Sequence, residues 1–432
     1  MKILLCLVSD QHVPNFLTVR VENPDLLILV VTPEMAGKKA ASNFKKALAY
    51  GESGYTGKHK IVGLKDGNTI SATMKKLEVV FTDHPCAEWV VNLTGGTKPM
   101  SIGAYEFFKD KGAKLLYVSI GRQSHATNFA DNSQIPIDYN VSIKEFLAGY
   151  GFDFLKKEEI TKADEKLAKK LFYLSVHLAA NYDLAHEIMH DLDRWIIRKY
   201  GNKKLYGNKC KEKARDKARD KGIRLVDFEV QNRQISNLLA KDFQLDENEN
   251  GLRGNLDKNA VKFLTGGWLE VFFWGLLCKH SQMLNIWDVR LGLNPGKKDS
   301  QKDNKKDSKR EVRNDWDVSF MYNQSLRFIE CKTGIQDHDP MGNDTLYKVE
   351  AIKKQLGALN VKSYLATTSQ NILEEGKIKC SIATRAKLYG CIIIPGDVIR
   401  KLAKSELDHD PNISKLISDV VFPKKENEEL SC

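Results

Sequence analysis

Near-continuous apolar runs alternate with amphipathic stretches through the first third of the chain. Strands are predicted at 2–8, 26–32, 60–64, 89–93 and 114–120, and helices at 34–50, 68–81 and 99–111. Apolar strands separated by helices build a parallel, doubly wound sheet covered on both faces. Ligands on such sheets bind at the C-terminal ends of the strands. Two polar loops fall there: Ser9-Asp-Gln-His-Val-Pro-Asn15 after the first strand and Thr94-Gly-Gly-Thr-Lys98 after the fourth. Beyond residue 156 the period becomes helical, with Leu167, Leu171, Leu174 and Leu178 on one face. The repeat Lys213-Ala-Arg-Asp216, Lys217-Ala-Arg-Asp220 reads as a solvated helix. The span to 262, with Asp246-Glu-Asn-Glu249, has no clear period and is expected to be a helical connector with a possible small subdomain. A third region opens with the apolar helix Thr265-Gly-Gly-Trp-Leu-Glu-Val-Phe-Phe-Trp274. It continues through a strand near 285–293, a Lys/Asp/Ser-rich loop at 295–313, a hairpin, a helix at 345–359, a strand at 363–368 and a closing unit through 391–395. The expected division is 1–155, 156–262 and 263–432, with α/β domains at both ends.

The hairpin carries the chemistry. Asn314-Asp-Trp-Asp-Val-Ser-Phe-Met-Tyr322 and Ser325-Leu-Arg-Phe-Ile-Glu-Cys-Lys-Thr333 both alternate, and the turn pair Asn323-Gln324 joins them. With Tyr322 opposite Ser325, Asp317 faces Glu330 and Asp315 faces Lys332. Those four share one face of the ribbon; Trp316, Val318, Ile329 and Cys331 take the other. Opposed carboxylates roughly 5 Å apart destabilise a hairpin unless positive charge lies between them. A divalent metal beside Lys332 answers that need, which is the layout of a metal-dependent phosphodiesterase. Acids on a strand are commonly just its solvated face, but here the second strand is mostly apolar.

At 432 residues, two or three domains can each bury a core. The net charge of +11 favours an anionic partner, nucleic acid first. Eight cysteines lie scattered without CxxC spacing, which suits buried thiols in a reducing cytoplasm. The run Ile3-Leu-Leu-Cys-Leu-Val8 is too short for a signal peptide and lacks a cleavage site. No run approaches transmembrane length by inspection, so no membrane partner is expected.

Further constellations are weaker. Two glycines between a strand and a helix let backbone N–H groups approach an anion, and Thr94, Thr97 and Lys98 add donors around Gly95 and Gly96. The spacing matches neither Walker A nor GxGxxG, so ordinary mononucleotide and dinucleotide cofactors are not supported. Ser9, Asp10, Gln11 and Asn15 gain interest only from their expected place beside that loop; around Pro14 they also fit plain turn chemistry. His186-Glu-Ile-Met-His190 is a formal HExxH zinc-protease match whose flanks offer no obvious third ligand, with Glu212 and Glu229 merely available. Glu270 is the lone acid of an apolar helix, either facing water or adding a third carboxylate to the hairpin site. From Lys297 to Arg313 eight Lys/Arg stand against four Asp/Glu without interleaved aromatics, which suits a sequence-independent phosphate contact or a solubilising loop.

Taken in order, Gly267-Trp-Leu-Glu270, Asn314-Asp-Trp-Asp-Val318 and Ile329-Glu-Cys-Lys-Thr-Gly334 resemble the PD-(D/E)xK nuclease of CRISPR ancillary effectors. In that family the nuclease follows a Rossmann-like CARF sensor domain, and Asn92-Leu-Thr-Gly-Gly-Thr-Lys-Pro-Met100 is similar to the CARF ligand loop. The resemblance covers the first and last regions but not the middle. It implies a homodimeric, cytoplasmic endonuclease of type III CRISPR defence, activated by a cyclic oligoadenylate, foremost cyclic tetra-adenylate. It further implies Mg²⁺- or Mn²⁺-dependent cutting of single-stranded RNA or DNA. Glu270, Asp317 and Glu330 would hold the metal, Lys332 would be the catalytic lysine, and Thr94 to Lys98 would hold the ring. Trp316 stands where the motif's name promises proline. A sensor that binds nucleic acid without cutting is the reading from a different class.

Overall fold

Strands β1 (Lys2–Leu7) and β2 (Leu26–Val31) are apolar and buried at almost every position, as inner strands covered on both faces must be. The computed structural model describes residues 1–50, 54–121, 123–154, 162–201, 208–248, 251–296, 316–333, 346–347, 350–351, 353–354, 356 and 361–423. With β3 (Lys58–Gly63), β4 (Glu88–Asn92) and β5 (Lys114–Ser119) the first strands form a parallel sheet ordered β3-β2-β1-β4-β5. The antiparallel strands β6 (His125–Asn128) and β7 (Gln134–Pro136) extend one edge, so the sheet is seven-stranded and not wholly parallel. The chain winds outward from β1 in one direction and from β4 in the other. The crevice between those two strands is therefore the topological switch point, where such sheets bind ligands.

Two local expectations change. The helix predicted over 34–50 breaks at Lys39 (φ 55°) into Pro33–Gly37 and Ala40–Leu48. The second half of the 9–15 loop belongs to the helix Val13–Glu22, which Pro14 starts because its missing N–H would be unbonded there anyway.

A short strand β8 (Asp153–Phe154) leads to the middle region, whose helices are Lys162–Ala180, Tyr182–Tyr200, Asn208–Lys221 and Arg233–Phe243. The aperiodic span also holds a three-stranded sheet of β9 (Ile223–Phe228), β10 (Asp246–Asn248) and β11 (Gly251–Leu256). This region is no mere spacer. Leu171, Leu174, Ile188 and Leu192 share one hydrophobic core with Phe272, Phe320, Ile329 and Tyr364 of the last domain. The charged repeat is not wholly solvated either, because Ala214 and Ala218 face that core and are fully buried.

The last domain is built on a five-stranded sheet. Its order is β12 (Ile286–Leu293), β14 (Trp316–Tyr322), β15 (Ser325–Lys332), β16 (Val361–Thr367) and β19 (Cys391–Ile394). The first three run antiparallel and the last two join in parallel. Short β13 (Pro295–Gly296) pairs back to β8, and β17 (Leu373–Glu374) with β18 (Lys377–Ile378) makes a small ribbon. The hairpin has the predicted register from Tyr322 opposite Ser325 to Val318 opposite Ile329, where the ladder ends. Trp316 is a correction: it does not share the face of Val318, Ile329 and Cys331 but stacks on Phe328 in the cluster on the other side. Asp315, most of the 295–313 loop and most of the 345–359 helix lie outside the described residues. A second expectation is corrected: the stretch Lys258–Leu284 is long and apolar enough by composition to cross a membrane. Most of it is buried in the protein, where Trp268, Phe272 and Leu277 form the core under the sheet.

The first and last domains are joined by directed polar contacts. Both turn residues of the hairpin have positive φ, Asn323 at 49° and Gln324 at 57°, as a type I′ turn requires. Glutamine is a costly residue there, and its side chain has a use. Gln324 Oε1 accepts from the Val141 N–H at 3.1 Å, and its Nε2 donates to the Tyr139 carbonyl at 2.6 Å. A bulge in β12 between Trp287 and Arg290 aims two more groups the same way. Trp287 Nε1 donates to the Val141 carbonyl at 2.8 Å, and Asp288 accepts from the Ile143 N–H at 2.6 Å. Because Val141 is buried, Gln324→Ala strands its N–H without a partner. The expected loss is about 1–3 kcal/mol of stability, read by chemical denaturation of the full chain.

Candidate functional site

Two sites emerge, one in each end domain. At the switch point, Gly95 and Gly96 follow β4. A Cβ on Gly95 would lie 2.1 Å from the Leu7 carbonyl oxygen, and Gly96 has φ 76°, so both positions need glycine to press the loop against the end of β1. Thr97 caps the helix Lys98–Phe108 by accepting from the Met100 N–H, and its hydroxyl donates to the Gly67 carbonyl. Thr94 accepts from the Val118 N–H at 2.7 Å. Lys98 is exposed at the first position of the helix, where N–H groups and the macrodipole also favour an anion.

The predicted loop partners do not all face this crevice. Asn15 is buried and both ends of its amide are engaged: Nδ2 donates to the Leu7 carbonyl at 2.8 Å, and Oδ1 accepts from Asn92 Nδ2 at 2.8 Å. It sets the spacing of β1, β4 and the helix Val13–Glu22 rather than presenting itself to a ligand. Asp10 is held by Lys38 at 3.0 Å, and Ser9 closes a local turn with Gln11. Asn92 also reaches Thr18 and accepts from the Thr94 N–H. This is a positioning role that a polar residue ending an apolar strand could have signalled.

The second site sits at the open end of the hairpin. Glu330 is almost fully buried, and Lys332 Nζ lies 2.7 Å from its Oε1. Asp317 inserts between the strands, its Oδ2 accepting from the Cys331 N–H at 2.6 Å in place of a ladder bond. Glu270 arrives from the first turn of the helix Trp268–Leu284. A π-turn, Phe263–Gly267, precedes that helix; Gly266, with φ 135°, passes so close to Thr333 that a Cβ would meet its hydroxyl at 2.8 Å. The turn thereby docks the helix start beside the end of β15.

Charge confirms the convergence. Burial first, then Glu270 and Glu330, push the Asp317 carboxyl well above the usual carboxylate range. Burial likewise raises Glu270, which Lys262, Lys332 and Arg219 oppose. For Lys332 burial disfavours the charge, yet Glu330 and Asp317 together hold its pKa above the ordinary lysine value. Three acids thus act on one half-buried ammonium, which is bonded to Glu330. Among the described residues no three His, Cys, Asp or Glu side chains are placed to hold a metal ion as they stand. Glu330 is instead turned onto Lys332, and Asp317 onto the Cys331 N–H. The donor set still fits a hard divalent cation, since it is all oxygen and carries more negative charge than Lys332 balances.

His186 and His190 lie on the helix Tyr182–Tyr200, and His186 Nε2 is 2.9 Å from Thr368 Oγ1. Among the described residues no third ligand joins them. Thr368 in turn binds the Lys332 carbonyl through its N–H, so His186 buttresses the nuclease-like site.

A Rossmann-like sheet with a ligand crevice, followed by a carboxylate–lysine hairpin site, defines a sensor domain ahead of an endonuclease-type domain. Residues 3–146 match the Card1 CARF domain, and residues 257–397 match the Card1-like endonuclease domain. The chain belongs to this family of CARF–nuclease fusions. No curated protein sequence matches it. Can2 from Sulfobacillus thermosulfidooxidans, solved in complex with cyclic tetra-adenylate, aligns with TM-score 0.64 and 20% identity, over 94% of this chain and 99% of Can2. Protein VC1899 from Vibrio cholerae aligns with TM-score 0.69 and 19% identity, over 96% of this chain and 98% of its own. At such identities the likeness is one of fold.

Gly95→Ala forces its Cβ into a carbonyl oxygen, whereas Gly37→Ala meets nothing within 4 Å. Denaturation is expected to show a loss on the order of 1–3 kcal/mol for the first and almost none for the second.

Proposed function

We propose that the protein is a cyclic-oligoadenylate-activated endonuclease of type III CRISPR defence, working in the cytoplasm as a homodimer on single-stranded RNA or DNA. Residues 1–155 are its sensor, 156–262 its connector and 263–432 its nuclease. The observation that carries this reading is the convergence of Glu270, Asp317, Glu330 and Lys332 on a hairpin whose turn is bonded to the sensor. Dimerisation is supported by an exposed aromatic and aliphatic patch on the sensor, formed by Ile102, Tyr105, Tyr117 and Phe129. A symmetric ring on a dimer axis would meet the Thr94–Lys98 loops of both copies. Cyclic tetra-adenylate is the foremost candidate, in keeping with the ligand of the Can2 complex.

Asp317, Glu330 and Glu270 would hold a Mg²⁺ or Mn²⁺ ion, which when bound lowers the pKa of water and neutralises charge on the phosphate. Glu330 and Asp317 favour the charged form of Lys332, which suits it to donate a hydrogen bond to the attacking water or to a phosphate oxygen. Glu330 fixes that ammonium group, and Asp317 fixes the strand end through Cys331.

Ligand state reaches the hairpin along a bonded route. The helix Val13–Glu22 begins at the crevice and carries Arg20, whose guanidinium lies 3.2 Å from Glu145 Oε1. Glu145 accepts from the Tyr139 hydroxyl at 2.7 Å, and the Tyr139 carbonyl receives Gln324. Activation requires the ring to bind the cutting arrangement better than the idle one.

The test incubates the purified protein with Mn²⁺, mixed RNA and DNA, and a panel of cyclic oligoadenylates. Cleavage is expected only with an activating ring, and no cleavage under any combination would overturn the reading. Lys332→Ala is expected to lower kcat by about 10²–10³-fold with ring affinity unchanged. An unchanged rate would point to a sensor that does not cut. Metal dependence has its own signature. Folded-state pKa values of Asp317 and Glu270 lie above their ordinary values, so the stability these groups lend is lost as pH rises above the carboxylate range. In chelator at neutral pH, Asp317→Asn should melt above wild type. Mn²⁺ should raise the wild-type midpoint and leave the variant's nearly unmoved.

A further inference from the structure

The two Lys-Ala-Arg-Asp repeats place their arginines four residues apart on the helix Asn208–Lys221, yet the two meet different surroundings. Arg215 is claimed by Asp193, with Nε 2.8 Å from Oδ1. Arg219 reaches only Thr265, through long bonds of 3.4 and 3.5 Å to its hydroxyl and carbonyl, and it forms no ion pair among the described residues. Thr265 lies in the π-turn that delivers Glu270. On that same turn the Lys262 side chain lies over Gly267, its Cγ 3.9 Å from where a Cβ there would stand. Lys262 is also exposed and forms no ion pair among the described residues. The helix that follows this turn carries Glu270 in its first turn. Two unclaimed cations therefore stand at the rim of an acidic site, on the connector and its junction with the nuclease.

We infer that Arg219 and Lys262 form a phosphate-binding rim that holds the nucleic-acid backbone flanking the scissile bond across the carboxylate cluster. The inference rests on the nuclease reading. An acidic site repels a polyanion, and fixed cations at its edge offset that repulsion while leaving the centre negative for a metal ion. The guanidinium suits a phosphate's paired oxygens, whereas the Lys262 ammonium adds a point charge. Such contacts are sequence-independent.

The test measures KM and kcat of the ring-activated full chain on a labelled single-stranded oligonucleotide over a range of KCl. Proteins compared are wild type, Arg219→Ala, Arg219→Lys and Lys262→Ala. Each alanine variant is expected to raise KM about tenfold, keep kcat within about twofold and reduce the salt slope by about one. Arg219→Lys should recover the slope, and melting midpoints should match wild type. Unchanged KM and slope, or a fall in kcat alone, would make Arg219 a tether for the Thr265 turn and overturn the inference. Should wild type cut nothing with any ring, the function reading fails separately. Fluorescence anisotropy on the same oligonucleotide then decides, and equal salt slopes in wild type and variants overturn the rim.

Discussion

The ladder between β14 and β15 ties two distant requirements to one register. At its closed end Asn323 and Gln324 must take positive φ, and Gln324 must reach the sensor backbone at 139 and 141. At its open end Asp317 must meet the Cys331 N–H while Glu330 and Lys332 point to the same face. Side chains alternate with period two, so a slip of one residue would break both ends together. Apolar packing on both faces holds the register: Val318, Phe320 and Ile329 are completely buried in the core that includes the helix Trp268–Leu284, and Phe328 is completely buried in the cluster on the other side. The ribbon is consequently stiff, and whatever moves its turn moves its acids.

Concentrating three carboxylates in that rigid frame is unfavourable unless charge is balanced. The fold supplies part of the balance through Lys332, whose own charge burial disfavours and whose neighbours restore it. The remainder is left open. A structural core gains nothing from such a cluster, because an apolar replacement would pack without the desolvation cost. Imbalance of this kind is characteristic of sites that accept a cation. The Arg20–Glu145 pair in the sensor shows the contrasting, closed arrangement. It is more deeply buried, and Tyr139, Ser142 and the carbonyls of Leu48 and Tyr50 bond to it.

The hairpin was legible because its signals are local: period-two alternation, a polar turn pair, and acids where β propensity disfavours them. The sensor sheet was legible for the same reason, from its apolar runs. What escaped depends on partners far along the chain. Gln324 reads as an ordinary turn residue until Val141 stands beside it. Asn15 looks like turn chemistry around Pro14, although its amide is spent on Leu7 and Asn92. The charged repeat misled because its arginines dominate the pattern, while its two alanines are what the core uses. The bulge that turns Trp287 and Asp288 toward the sensor has no sequence signature beyond a strand that fails to alternate cleanly.

The connector changes what a sensor–nuclease fusion must be mechanically. Its helices share a core with the nuclease, so those two regions are expected to move as one body. The sensor, by contrast, meets the nuclease through hydrogen bonds at 139–143, the short β8–β13 pair and a further apolar cluster that includes Ile143, Phe146 and Leu326. Hydrogen bonds are short-ranged and directional, so a small rotation of the sensor breaks or re-forms them in steps. The helix Val13–Glu22 is itself packed, through Val13, Phe16, Leu17 and Val19, into the cluster that holds Met321, Leu326 and Phe328 of the nuclease, so a shift of that helix must repack apolar contacts as well as re-form polar ones.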